Sequence, residues 1–165
     1  MEAERIPRGA DRALHVKLGP GGLSDVEWTV QLLQLRHAFA VPALRTTRTI
    51  EALEAAVDAD LVAAADAAAL RASWQFAARI RNAVMLVRGR PGDMLPVKHD
   101  ELTAVARLLG YKPVAAGAST TVRSAAVPAI VGTSAWNATP AQALEEDYRR
   151  TARRARAVME RLFYG

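Results

Sequence analysis

The sequence predicts an all-α fold, a helical bundle of about five main helices with one long central helix. Alanine dominates a chain that is 51% apolar and only 5% aromatic. That composition keeps helix propensity high and lets helices approach closely. Apolar residues recur at three- and four-residue steps through several long segments, as amphipathic helices require. No strand-rich unit and no βαβ pattern interrupts them. At 165 residues the chain suits one domain with a sizeable core. Residues 1–22 form an entry segment and glycine loop, and residues 23–165 a single helical-bundle domain.

The first helix is expected from Leu23 to Phe39, with Val26, Trp28, Val30, Leu32, Leu33 and Leu35 giving a broad apolar surface. Val41-Pro42 ends it, since proline disfavours a helical residue before it. A second helix starts after Thr49, an N-cap residue, and carries Ile50, Leu53 and Val57. After a break near Asp58 to Leu61, a long third helix covers about Ala64 to Val87 and supplies the spine. Gly89, Pro91 and Gly92 stop it. A shorter helix, His99 to Leu109, is closed by Gly110. From Lys112 to Ala138, small residues and prolines leave short helical turns and plain loop both open. Thr139-Pro140-Ala141-Gln142 is a capping box with proline at the first helical position. From it a last helix of about 25 residues runs to Tyr164.

Several function classes drop out. There is no cysteine, so disulfides and thiolate metal sites are excluded. His15, His37 and His99 lack ligand-like spacing; His15 and His37 are expected at the surface or as caps. Met85, Met94 and Met159 read as packing residues. No apolar run approaches the roughly 18 residues of a membrane span, and MEAERIPRGADR has no signal-peptide core. A cytoplasmic setting without membrane contact is expected. The net charge of +5 suits nucleic acid, nucleotide phosphates or an acidic protein without choosing among them. The basic run Arg149 to Arg156 follows Glu145, Glu146 and Asp147, so a salt-laced face with pairs such as Glu145-Arg149 and Glu146-Arg150 explains it. A nucleic-acid partner is not expected, because aromatics are scarce and no recognition-helix unit accompanies the arginines.

Two stretches carry candidate chemistry. The first is Lys17-Leu18-Gly19-Pro20-Gly21-Gly22-Leu23-Ser24-Asp25-Val26-Glu27-Trp28. It is not a Walker loop, because Lys17 precedes the glycines and none follows them. Nor is it a dinucleotide fingerprint, which needs a third glycine and a preceding strand. Ser24 and Glu27 have capping-box spacing, and Asp25 suits the first helical turn. Capping alone leaves the adjacent Gly21 and Gly22 unexplained. Asp25 and Glu27 point different ways on a helix, so they do not grip one metal together. The second stretch runs from Arg88 through Gly89-Arg90-Pro91-Gly92-Asp93 to Pro96, preceded by Arg79, Arg81 and Asn82. Arg88 suits a helix C-terminus electrostatically; a phosphate or partner contact is the other reading.

Gly21-Gly22-Leu23-Ser24-Asp25-Val26-Glu27-Trp28, continuing to Gln31 and Leu35-Arg36, resembles a signature of the glutamine synthetase adenylyltransferases. Arg81-Asn82, Gly89-Arg90 with Asp93-x-Leu95-Pro96, Leu108-Leu109-Gly110-Tyr111 and Asp147-Tyr148-x-x-Thr151-Ala152-Arg153 match in the same order over nearly the whole chain. The resemblance implies a long bifunctional enzyme that adds AMP to glutamine synthetase from ATP and removes it by phosphorolysis. It implies magnesium and ATP in the full-length enzyme, with neither held tightly by this piece. The implied partners are an upstream nucleotidyltransferase domain, glutamine synthetase and the PII signalling protein. This chain is similar to the helical domain at the C-terminal end.

The catalytic core of such enzymes carries Gly-Ser followed by an Asp-x-Asp metal pair. Here the only such pair is Asp58-Ala59-Asp60, in an alanine-rich helical stretch, and Gly-Ser is missing. Without carboxylates to hold a metal against phosphates, this chain alone is not expected to transfer AMP. It therefore has no catalytic or metal residues of its own. Instead Lys17, Gly21, Gly22, Asp25, Glu27, Arg81, Asn82, Arg90 and Asp93 are expected as cleft or interdomain contacts, with the start of the first helix exposed to the missing domain. The competing expectation is a protein-interaction module for glutamine synthetase or PII. A uridylyltransferase-type helical domain is a further alternative.

Overall fold

The computed structural model describes residues 11–113 and 139–164. Among them are five α-helices: α1 (Leu23–His37), α2 (Thr49–Asp58), α3 (Ala64–Arg88), α4 (His99–Leu108) and α5 (Pro140–Tyr164). The all-α bundle is as the sequence predicts, and α3 is its centre, packing against each of the other four. Both α3 and α5 run for 25 residues, about 37 Å each. Most of the stretch whose structure the sequence left open, from residue 114 to 138, lies outside the described residues.

Helix ends follow local chemistry. α1 stops at His37, two residues before the expected Phe39, and Arg45 donates to the freed carbonyls of Ala38 (2.8 Å) and Phe39 (3.2 Å), satisfying groups a helix terminus leaves open. Thr49 is the first residue of α2 rather than its cap; Arg48 holds the cap position, and Thr46 Oγ1 accepts its N–H. α3 ends at Gly89 in the left-handed conformation, φ 64°, as a glycine terminator does. The capping box of α5 forms as predicted: Gln142 N donates to Thr139 Oγ1 and Thr139 N to Gln142 Oε1.

The core divides along α3. Phe76, Ile80 and Val84 of α3 pack with Leu102 and Val105 of α4 and with Leu144 and Tyr148 of α5. Nearer its N-terminal half, Leu70 meets Val26 and Val30 of α1, Leu53 of α2 and Ala155 and Val158 of α5. Three residues expected on apolar faces correct the sequence reading, among them Trp28, which is 41% exposed. Leu35 is 87% exposed and Met85 52% exposed, because each points away from the side its helix buries. Met159 is buried as expected.

The entry segment is held down at its second half. A 3-10 turn, Arg12–Leu14, leads to an antiparallel bridge between His15 and Met94. There Val16 N donates to Asp93 O and Leu95 N to Leu14 O, at 2.8 and 3.0 Å. This joins the two stretches singled out in the sequence.

Candidate functional site: a glycine loop seated on the last helix

The loop between the bridge and α1 closes on itself. Gly19 N donates to His15 O, Leu23 N to Val16 O and Ser24 N to Lys17 O. The chain thereby turns directly into α1, with Gly22 at the cap position. Ser24 is then inside the helix, buried, and makes no cap; Glu27 does not return a bond to it but accepts from Trp74 Nε1 at 3.3 Å. Asp25 takes that part instead. Its Oδ2 accepts the N–H of Gly21 at 2.7 Å, reaching back across the cap position.

Gly21 is the contact with α5. Its φ of +72° favours glycine, and a Cβ there would lie 1.9 Å from the carbonyl oxygen of Ala152. Its own carbonyl accepts from Ser73 Oγ at 2.6 Å. A Cβ on Gly22 would meet Val16 O at 2.7 Å. Close approach of backbones therefore explains the adjacent glycines. Arg156 of α5 completes the arrangement, donating from Nη1 to Asp25 Oδ2 at 3.1 Å and from Nε to Glu160 at 2.8 Å. These bonds, to Glu160 first and then to Asp25, raise the pKa of the guanidinium.

Asp25 is only 5% exposed. The expected exposed helix start is thus corrected: Gly21 to Val26 are buried within this domain. Sequence reasoning missed Ser73 as the donor to Gly21 and Arg156 as the partner of Asp25. The sequence reading places Asp25 at an exposed helix start and so gives no reason to seek a cation for it, which a buried carboxylate needs.

The bridge gathers a second group. Arg81 Nε donates to Asp93 Oδ1 at 2.6 Å, so two of the expected contact residues partner one another. His15 is buried, correcting a surface placement, and its Nδ1 accepts from Leu18 N at 3.0 Å, a capping role. Burial pushes its pKa down; Asp93 opposes this, and Lys17 and Arg81 reinforce it. Lys17 is half-buried, while Asn82 and Arg90 are exposed. Further along, Arg88 pairs with Glu101 at 2.8 Å and lowers its carboxyl pKa.

On the outer side of the loop, a groove of about 420 Å³ opens between Ala13, Pro20 and the α5 residues Arg149, Ala152, Arg153 and Arg156. Arg149 pairs with Glu145 as predicted and also with Asp11; Glu146 pairs with Arg153 rather than Arg150. Arg150 instead joins Asp147, which also accepts from Tyr111 at 2.9 Å. Desolvation nonetheless raises the Asp147 pKa, against the pull of Tyr111 and Arg150. The groove's three arginines already pair with Asp11, Glu145, Glu146, Asp25 and Glu160, and Glu160 also lines the groove, so its walls are close to charge-balanced. Among the described residues no group of three or more His, Cys, Asp or Glu is placed to hold a metal.

No solved structure matches the chain. It is 53% identical over 165 residues to the bifunctional glutamine synthetase adenylyltransferase/adenylyl-removing enzyme of Streptomyces avermitilis, over 100% of this chain and 14% of that protein. To the enzyme of the same name from Streptomyces coelicolor it is 52% identical, and to that from Leifsonia xyli 47%, over 99% and 100% of this chain and 14% of each relative. The chain thus spans 14% of the length of these curated relatives. A family model described as GlnD PII-uridylyltransferase matches residues 3–163. The chain belongs to that family, with the bifunctional glutamine synthetase adenylyltransferase/adenylyl-removing enzymes among its relatives.

Proposed function

We propose that this chain is the helical domain of an enzyme that adenylylates and deadenylylates glutamine synthetase, and that it supports the ATP-dependent adenylyltransferase site from beside a nucleotidyltransferase domain. The observation carrying this reading is the convergence of motifs far apart in sequence on one loop. Gly21 sits on Ala152, Asp25 on Arg156, and the Lys17 segment on Asp93. Gly21, Gly22 and Asp25 act by holding the loop. Lys17, Asn82 and Arg90 reach outward for phosphate or the neighbouring domain, Glu27 stays half-exposed beside Trp74, and Arg81 with Asp93 steadies the bridge.

The described residues do not fit a metal, so no step through magnesium is assigned to them; in this reading its ligands and the ATP phosphates belong to the nucleotidyltransferase domain. Glutamine synthetase and PII are partners of the longer enzyme, which works in the cytoplasm. No helix among the described residues is long and apolar enough to cross a membrane.

The test is Lys17→Ala in the full-length enzyme. AMP transfer is expected to lose about tenfold in kcat/KM for ATP, as when about 1.4 kcal/mol of transition-state stabilisation is removed. Affinity for glutamine synthetase stays within a factor of about two. Unchanged turnover with weakened binding of glutamine synthetase or PII would replace this reading with that of an interaction module. The purified 165-residue chain is expected to transfer no AMP, and robust transfer by it overturns the proposal.

A further inference from the structure

α1 is apolar on two opposite sides. Val26, Val30 and Leu33 are buried against the bundle. On the other side Trp28, Leu32, Leu35 and Phe39 follow at helical steps, the last of them two residues beyond the helix. Phe39 is 95% exposed, like its neighbour Leu35, and Trp28 is 41% exposed. A helix with apolar residues on two opposite sides fits between two packed surfaces.

The display is held in place. Arg45 bonds the carbonyls of Ala38 and Phe39, and Gln34 Nε2 donates to the carbonyls of Leu44 (2.9 Å) and Thr46 (2.7 Å). The turn carrying Phe39 is thus tied to α1 and to the segment after it. Arg36 flanks the stripe, exposed and with no ion pair among the described residues.

We propose that this outward side of α1 is the docking face for another part of the same longer polypeptide, an apolar surface with a carboxylate opposite Arg36. The proposal rests on the functional reading above and adds where the neighbouring domain sits. Two observations select a tethered occupant over a second copy. The stripe offers on the order of 400 Å², given the ~150–250 Å² that one aromatic side chain can bury. Free association needs about 800 Å² on each side. A linked domain acts at high effective concentration and manages with less. The relatives that match the whole chain also carry this stretch as 14% of their length, so much polypeptide is tethered to it there.

The test replaces Phe39 with photoreactive benzoylphenylalanine in the full-length protein and maps the cross-linked peptides. Expected is a link within a single chain to a segment outside residues 1–165, at several times the yield from the same probe at exposed Gln75. A dimer-sized product would assign the face to a second copy and overturn the proposal. Links confined to residues 1–165, including 114–138, or a yield no higher than at Gln75, also overturn it. In parallel, Leu35→Ser/Phe39→Ser is expected to lower AMP transfer at least fivefold in the same protein. Full activity in that variant rejects the docking face and leaves the functional reading standing; absence of AMP transfer in the unsubstituted full-length protein rejects the functional reading itself.

Discussion

Gly21 and Gly89 separate two reasons for a glycine. Both have positive φ, but a Cβ at Gly89 meets nothing within 4 Å, whereas at Gly21 it collides with backbone that cannot rotate away. Gly89→Ala is expected to cost about 1 kcal/mol, the ordinary left-handed penalty. Gly21→Ala should cost roughly 3 kcal/mol or more, because overpacking adds to strain. Urea unfolding of the two variants checks the difference; equal midpoints would mean the loop does not sit on α5. His15 gives a pH dependence. Its folded pKa lies below the ordinary 6.5, so below that pH the unfolded chain binds more protons and stability falls as pH drops. Protonation also removes the acceptor for Leu18 N–H. The unfolding midpoint is expected to be lower at about pH 5.5 than at 7.5. His15→Asn should show a smaller difference, and an equal slope in both proteins would exclude His15 as its source.

At the scale of the element, helices were legible where periodicity and punctuation agree. The start and end of α3 and the box before α5 needed only Ala64, Gly89 and Thr139-Pro140 with Gln142. Caps failed where the loop decides them. Ser24 has the right chemistry and spacing, but the turns through Gly19 and Gly22 begin the helix one residue before it. Thr139→Ala is therefore expected to cost about 1 kcal/mol, whereas Ser24→Ala, which breaks no capping hydrogen bond, should cost clearly less. Comparable losses in thermal unfolding at both positions would restore Ser24 as a cap. The apolar breadth of α1 was also visible in sequence, but periodicity could not tell which of two apolar sides this bundle buries.

Across the whole molecule, the candidate site was legible as a list of residues and not as a set of partners. Asp25 with Arg156 and Arg149 with Asp11 lie 131 and 138 residues apart. Spacing rules that work within a helical turn have no reach over such separations. The same distance governs how the protein is made. Synthesis adds about 5–20 residues per second, so Asp25 leaves the decoding centre on the order of 10 s before Arg156 exists. Through that interval the loop has no seat, and Gly21 has no carbonyl to rest against. Among the five described helices, the one translated after the other four closes on α1, and a ribosome that stalls before Arg156 leaves the glycine loop unclamped.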